Sequence, residues 1–222
     1  MGVDLGLKSF AVTSDGEKVD PPQPLGKAER KLSHLQRQLS RKKVASQNRN
    51  KARLKVARLY QKIANQRADF LHKLSRRWID ESQAIYVEDL CVKGMLSNHR
   101  LAKSISDSGW GEFVRQLEYK AAWYGRHVGK VDRFFPSSKR HAQCGYIYQD
   151  LKLSEREWTC PECGVLVDRD ANAAQNILLF GQLSPSQIGN ARRAGTAQTH
   201  TPGETGARKT GHGTRKPAAR NA

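Results

Sequence analysis

The chain has 222 residues, with 39 lysines and arginines against 21 acids, and a formal net charge of +18 at pH 7. A charge of that sign and size favours polyanionic partners, among which nucleic acid comes first and an anionic membrane surface second. The membrane alternative is weaker, because no apolar run reaches the ~18 residues of a spanning helix and no signal peptide is recognisable. Two of the four cysteines form a Cys-x-x-Cys pair, which indicates metal binding rather than a disulfide scaffold.

The first segment of the main domain is residues 1–25, in which residues 1–20 have the pattern of β-strands and the proline-rich stretch 20–25 breaks it. Two short apolar runs, Gly2–Leu7 and Ser9–Ser14, lead into Asp15-Gly16, a turn signal typical of a β-hairpin. Asp4 would lie in the middle of the first strand. A carboxylate in that place is costly to desolvate unless it meets a cation or a metal ion. Asp4 is therefore the first candidate site residue.

Residues 26–82, the basic hairpin, show the apolar periodicity of helices on both sides of a polar stretch, 41–51. The pattern predicts two long antiparallel helices. The segment holds 17 lysines and arginines against 4 acids, an imbalance too strong for pairing within the helices, although a charge run is often only a solvated face. We expect phosphate contacts from its central basic residues. These residues are Arg41, Lys42, Lys43, Arg49, Lys51, Arg53, Lys55 and Arg58.

Residues 83–135 continue the main domain. They are predicted to contain a strand that ends at Glu88, a patternless loop or lid over 94–108, an amphipathic helix that Gly125 ends, and a further strand. The order of the elements predicts an α/β fold with a mixed sheet, into which the basic hairpin is inserted after the third strand.

The C-terminal part contains one more helix, within residues 168–183. Its predicted inward face consists of Ala171, Ala174, Ile177 and Leu178. From 184 to 222 Gly, Pro, Thr, Ala and Arg dominate and no apolar period remains, which predicts a disordered basic tail.

Between these parts, residues 136–167 carry two pairs of residues that can ligate a metal ion. The four candidates are His141, Cys144, Cys160 and Cys163. Zinc takes four such ligands in a tetrahedron, and the two-residue spacing lets one turn hold one edge of it. A glycine follows each pair, where a tight turn needs positive φ. We predict a closed, structural zinc ribbon; the alternative is a chance Cys-x-x-Cys with an unrelated histidine. Cys91 has no partner by spacing and is expected to be a small buried residue.

Three acids, Asp4, Glu88 and Asp170, each stand at a strand end or a helix start. Phosphodiester hydrolysis needs the attacking and the leaving oxygen to be stabilised, and two divalent ions ~4 Å apart, held by carboxylates, do this. Magnesium takes oxygen ligands and keeps several waters, so that three acids suffice. An acid at a helix N-terminus is often only a cap, however, and spacing alone does not show that the three converge.

The chain resembles the TnpB family, the OrfB-type transposases of bacterial insertion sequences, which are related to type V CRISPR effectors. The resemblance covers roughly residues 1–181 and is carried by three motifs of the RuvC nuclease type. The motifs are Gly-Val-Asp4-Leu-Gly-Leu, Val-Glu88-Asp-Leu and Asp168-Arg-Asp170-Ala-Asn-Ala-Ala-Gln-Asn-Ile.

This resemblance implies an RNase H-like (RuvC) fold and an RNA-guided DNA endonuclease that depends on magnesium or manganese, with DNA and a guide RNA as partners. By position, Asp4, Glu88 and Asp170 match the catalytic triad, and Asp168 is a supporting acid. The resemblance also implies a cytoplasmic, nucleoid-associated protein of a bacterium or archaeon.

The sequence departs from the family in two places. The family usually has Cys where this chain has His141, so we expect a zinc site with a different affinity. The family also carries an N-terminal half that grips the guide RNA, whereas Met1 stands three residues before Asp4, and we expect that half to be absent.

Two hypotheses follow: an endonuclease fragment with intact catalytic acids, and a non-catalytic nucleic-acid-binding remnant with a zinc ribbon. A DDE-type transposase that performs strand transfer is less favoured, because the acids come in the order Asp, Glu, Asp.

Overall fold

The structure is a computed structural model that describes residues 1–152 and 154–183. The predicted disordered tail, 184–222, lies outside the described residues. Within the described part of the chain, no helix is both long and apolar enough to cross a membrane.

Five strands form one mixed sheet in the order β3-β2-β1-β4-β5. They are β1 (Gly2–Leu5), β2 (Ala11–Thr13), β3 (Lys18–Val19), β4 (Ala84–Glu88) and β5 (His127–Val131). β2 pairs antiparallel with both β1 and β3, while β1, β4 and β5 run parallel. The predicted mixed α/β architecture is confirmed. Because Val3 pairs with Val87, Asp4 and Glu88 follow one residue later, at the same edge of the sheet.

Two helices, α1 (Pro24–Ser40) and α2 (Gln47–Glu81), form the predicted basic hairpin. The Ser46 hydroxyl accepts a hydrogen bond from the Arg49 amide at 3.2 Å and caps α2, so that the helix begins inside the stretch predicted to be polar turn. Leu32 of α1 packs in one cluster with three buried residues of α2. The C-terminal half of α2 continues into the core of the main domain, where Trp78 is fully buried.

Where the sequence shows no pattern, the structure has two short helices, α3 (Val92–Met95) and α4 (Ala102–Ser108). The prediction of a loop over 94–108 was wrong, because burial of Ile105 against the core, and not helical periodicity, holds α4 in place. Cys91, expected to be buried, is exposed before α3.

The remaining helices agree with the prediction more closely. The amphipathic helix α5 (Trp110–Tyr124) ends at Gly125, whose φ is 62°. The last helix, α6 (Arg169–Gly181), buries Ala174 and Ile177 as predicted, whereas Ala171 and Leu178 are only partly buried.

The core lies between the sheet and the helices α2 and α5. The buried ring of Phe113 contacts Phe10 and Trp78 edge to face, with centroid distances of 5.1 and 5.3 Å. On its other face the sheet packs against α6 so closely that a Cβ on Gly2 would come within 2.2 Å of the Ala174 carbonyl oxygen. Only glycine fits at this point of β1, and the close approach places α6 beside Asp4.

One buried carboxylate connects three helices. Asp107 of α4 is 5% exposed. Its Oδ2 accepts a hydrogen bond from the Leu25 amide at 3.0 Å and from the Gly26 amide at 3.3 Å. Its Oδ1 pairs with Arg67 of α2 at 2.7 Å. Gln23, at the start of α1, makes no side-chain cap bond, so Asp107 caps α1 from a neighbouring helix.

We predict that Asp107→Ala destabilises the protein strongly. Removing one partner of a buried ion pair leaves Nη2 of Arg67 and two amides without their acceptor, although Nε of Arg67 keeps its bond to the carbonyl of residue 107. We expect a cost of about 3 kcal/mol or more in the free energy of unfolding. Asp80→Ala is the matched control, because Asp80 makes an exposed pair with Arg76 that is expected to contribute no more than about 0.5 kcal/mol. Urea unfolding measures both, and equal small losses would contradict the prediction.

Candidate active site and metal centre

Three separate elements bring the predicted catalytic acids to one cleft. Asp4 belongs to β1, Glu88 ends β4, and Asp170 lies in the first turn of α6. All three line a cleft of about 390 Å³. Its walls include two serines of the segment after β5 and two arginines, Arg156 and Arg169. The sequence motifs, far apart along the chain, therefore meet in space.

The charges in the cleft influence one another. Burial, and after it the negative charges of Glu88 and Asp170, raise the pKa of Asp4 to about 7, although Arg169 and Arg156 oppose the shift. Burial also raises the pKa of Glu88. Two neighbouring carboxylates whose pKa values are raised, Asp4 and Glu88, form an environment that favours a bound cation.

The three carboxylates do not form a tight group. Among the described residues, only the His/Cys set has all its ligand atoms within 4.8 Å of one another. The Asp170 carboxylate instead contacts Arg156 Nη1 at 3.1 and 3.2 Å and Arg169 Nε at 3.2 Å. Sequence reasoning missed both arginines as site residues. Arg169 stands inside the third motif, which could have indicated it, whereas nothing local singles out Arg156.

Asp168 has a different environment from the three acids. Its Oδ1 accepts hydrogen bonds from the amides of Asp170 at 3.1 Å and Ala171 at 3.0 Å, and its Oδ2 pairs with Lys18 at 2.7 Å. Burial works against ionisation, but the bonds from Ala171 and Lys18 prevail and lower the pKa of Asp168. Asp168 thus caps α6 and orients the turn that carries Asp170.

The four predicted zinc ligands lie together. Cys160 and Cys163 belong to the turn between the strands β6 (Glu157–Thr159) and β7 (Leu166–Asp168). His141 Nδ1 is 3.1 Å from Cys144 Sγ and 3.3 Å from Cys163 Sγ, and the sulfurs of Cys144 and Cys160 are 3.5 Å apart. Metal–ligand distances of ~2.0 Å for nitrogen and ~2.3 Å for sulfur place tetrahedral ligands ~3.5–3.8 Å apart. The observed distances are roughly 0.2–0.4 Å shorter than these values, and the donor set fits one metal ion.

Each ligand pair sits in a tight turn. Gly145 and Gly164 have φ of 78° and 72°, and their amides donate to the carbonyls of His141 and Cys160 at 2.9 and 2.8 Å. The glycine requirement predicted from the sequence is confirmed at both turns.

Two buried asparagines of α6 attach the first ligand turn, residues 141–145, to the helix. Asn172 Oδ1 accepts from the Ala142 amide at 2.8 Å, and Asn172 Nδ2 donates to the Arg140 carbonyl at 2.6 Å. Asn176 Nδ2 donates to the carbonyls of Ser137 and Arg140 at 2.8 and 2.5 Å. The metal centre and Asp170 are thus attached to the same helix.

The predicted phosphate-binding residues of the basic hairpin lie near its tip. Seven of the eight are exposed, whereas Arg49 is partly buried. Its Nη1 donates to the carbonyls of Leu39 and Lys42 at 3.3 and 3.2 Å. Arg49 therefore holds the turn between α1 and α2, and the other seven are open to a partner.

Two family models match the chain, one over each part. The model of the family described as "Probable transposase" matches residues 1–99, which include Asp4 and Glu88. The model described as "Cas12f1-like, TNB domain" matches residues 110–177, which include the His/Cys cluster and Asp170.

Several curated proteins are similar to the chain. A Streptomyces pristinaespiralis protein named "Putative RNA-guided DNA endonuclease" is 47% identical over 193 residues, which are 87% of this chain and 48% of that protein. "Putative RNA-guided DNA endonuclease InsQ" of Escherichia coli is 37% identical over 196 residues, 82% of this chain and 48% of that protein. "TnpB-like protein L79" of a mimivirus is 28% identical over 142 residues, 61% and 27% of the two chains.

A solved structure shares the fold. It is titled "Cryo-EM structure of the Cas12f1-sgRNA-target DNA complex", and the match has a TM-score of 0.55 and 19% identity, over 79% of this chain and 48% of that chain. The structure thus defines the class of this protein as an α/β protein with an acidic cleft and a cysteine–histidine cluster. Within it, the resemblance to the TnpB family is confirmed by these matches. The chain spans about half the length of the bacterial relatives described.

We predict a pH-dependent effect of Asp4→Asn on stability. The folded state raises the pKa of Asp4 from 3.8 to about 7, so the stability that its proton contributes is complete below about pH 4 and is lost as the pH rises through about 7. In magnesium-free buffer, Asp4→Asn should therefore raise the unfolding midpoint near pH ~8, and the gain should shrink toward pH ~4.

Calorimetry of both proteins in buffer that retains zinc measures this difference. Asp150→Asn is the control, because Asp150 is exposed and is not among the residues that line the cleft. A gain of the same size at both pH values would show that the substitution does not act through ionisation.

Proposed function

We propose that this chain is the catalytic part of a TnpB-type nuclease, with an RNase H-like (RuvC) domain that hydrolyses DNA phosphodiesters. The observation that carries the proposal is the convergence of Asp4, Glu88 and Asp170, from three separate elements, in one cleft. The mixed sheet, with two of the acids at one edge, supports the RNase H-like assignment.

The donor chemistry of the cleft suits magnesium or manganese. Both ions prefer oxygen ligands, and the carboxylates of Asp4, Glu88 and Asp170 would hold them. When bound, such ions stabilise the attacking and the leaving oxygen of the phosphate. Arg156 and Arg169 line the same cleft and would neutralise the charge of a phosphate near Asp170.

The relatives' names support nucleic acid as the partner. The bacterial relatives are named RNA-guided DNA endonucleases, and we propose DNA and a guide RNA as the partners of this chain. The exposed basic residues of the hairpin would contact phosphates without reading sequence. RNA-guided cleavage would also require the segment of the relatives to which this chain has no counterpart in the matched region.

We propose that the His/Cys cluster binds zinc and stabilises the fold. Four protein ligands leave no position for a substrate, which is typical of structural zinc sites. Because Asn172 and Asn176 attach the first ligand turn to α6, the zinc site would also maintain the position of Asp170.

A non-catalytic, nucleic-acid-binding protein is the second candidate. The observation that favours it is the ion pairing of Asp170 with Arg156 and Arg169, which competes with cation binding by that carboxylate. Isothermal titration with manganese distinguishes the two candidates, because the catalytic protein should bind the ion and Asp4→Asn should weaken that binding.

The purified chain should carry about one zinc ion per molecule. Cys160→Ser removes one of the four ligands, and it should abolish most zinc binding and lower the unfolding midpoint. Elemental analysis and thermal unfolding measure the two effects. Cys91→Ser is the matched control, because Cys91 lies outside the cluster. Soluble protein without zinc would refute the assignment.

In cleavage assays, Asp4→Ala, Glu88→Ala and Asp170→Ala should each lose a hundredfold or more in rate, about 3 kcal/mol of transition-state stabilisation. The reason is shared, because each acid would hold an ion that stabilises the charge on the scissile phosphate. The assay uses plasmid DNA with magnesium or manganese, after co-expression with the segment of the Streptomyces relative that this chain does not match.

Asp168→Asn is the control and should be milder, since Asp168 acts through the cap of α6. Little or no guided cleavage is expected from the 222-residue chain alone. Full activity in Glu88→Ala would mean that the three acids do not form one site.

A further inference from the structure

A phenylalanine ring next to the cleft is held out in solvent. Phe134 is 86% exposed, the highest value among the large exposed apolar residues that the structure describes. It belongs to the short turn that follows β5. A single exposed apolar residue is common and needs no explanation. The contacts of the residues around Phe134 must therefore show whether its exposure serves a function.

Both neighbours of Phe134 make side-chain contacts. Arg133 forms an ion pair with Asp89, and Phe135 stacks on Phe180 of α6 with ring centroids 4.0 Å apart and an interplanar angle of 19°. The turn itself is closed by Asp132, whose Oδ1 accepts from the Phe134 amide at 2.8 Å and whose carbonyl accepts from the Phe135 amide at 3.0 Å. The hydrogen bonds to Asp132 and the stacking of Phe135 thus hold the backbone of the turn, while the ring of Phe134 remains exposed.

The turn is close to the acidic cleft along the chain. Ser137, which lines the cleft, comes three residues after Phe134, a distance of at most about 10 Å along the chain. On the other side, Arg133 pairs with Asp89, the residue that directly follows Glu88. Phe134 is therefore linked on one side, through the chain, to a wall of the cleft and on the other side, through the Arg133–Asp89 pair, to the end of the strand that carries Glu88.

We propose that the ring of Phe134 stacks on a base of the nucleic-acid strand that occupies the cleft, an inference that rests on the proposed function. Every base has a π-face, so an exposed aromatic ring binds a single strand without reading its sequence. A rigid turn suits this role, because the ring need not be ordered when the strand binds. The contact would hold the nucleic-acid strand near the acids through one of its bases, while the arginines of the cleft bind its phosphate.

The experiment places a fluorescent reporter at the proposed contact. Trp78, Trp110 and Trp158 are buried, whereas Trp123 is 72% exposed at the far end of α5. In a Trp123→Phe background, Phe134→Trp adds one exposed indole to the described part of the chain. Titration with single-stranded oligothymidylate should quench this emission, because stacking on a base quenches indole.

A second measurement separates stacking from electrostatics. Phe134→Ala should weaken oligothymidylate binding in the cleft at least about fivefold, the lower bound for one base on one ring. The slope of affinity against salt should not change, because no phosphate contact is lost. Phe134→Tyr should restore binding, and Trp123→Ala, which removes an exposed aromatic residue far from the cleft, should not alter it.

Quenching of the indole at 134, with the salt slope unchanged in Phe134→Ala, supports the stacking contact. This support for the stacking contact holds even if metal-dependent cleavage is absent. Absence of cleavage would count against the proposed function but not against the stacking contact. An unquenched indole, under conditions in which the chain binds the oligonucleotide, overturns the contact, and cleavage seen in the same preparation leaves the proposed function standing. Equal losses of oligonucleotide affinity in Phe134→Ala and Trp123→Ala also overturn the contact, since they would indicate non-specific binding by exposed aromatic rings.

Discussion

The close crossing of α6 over β1 is the constraint on which the site depends. Gly2 allows the approach, because any side chain there would collide with the Ala174 carbonyl. The same helix carries Asp170 in its first turn and Asn172 and Asn176 on its buried face. One packing contact thus determines the distance from β1 to the third acid and also the place where the metal centre is attached.

This arrangement explains why buried polar residues lie on a helix that otherwise packs by small apolar side chains. An unpaired buried amide is costly, and both asparagines satisfy their amides on backbone carbonyls of the segment that leads into the metal centre. The cost of burying them is therefore offset only when that segment is in place. We infer that the metal centre and the cleft form one cooperative unit, although about 30 residues separate His141 from Asp170 along the chain.

Local chemistry made much of the structure predictable. The Cys-x-x-Cys turns, the helix end at Gly125 and the basic hairpin each follow from spacing, positive φ or periodicity within a short window. The motifs also indicated Asp4, Glu88 and Asp170, but not their distances. What the sequence did not indicate depends on residues far apart: the approach of Arg156 to Asp170, the capping of α1 by Asp107, and the exposure of Cys91. Such contacts are set by tertiary packing, which no short pattern encodes.

The long helix α2 has a consequence for the length of the basic hairpin. Its N-terminal half belongs to the hairpin and its C-terminal half places Trp78 in the main core, without a break between them. A hairpin of different reach must therefore keep the rotational phase of the helix, since a change of one residue turns every following side chain by about 100°. Changes of about 7, 11 or 18 residues, which are close to two, three and five full turns, preserve that phase to within about 20°. The reach of the hairpin would thus vary in steps and not continuously among proteins that keep this core.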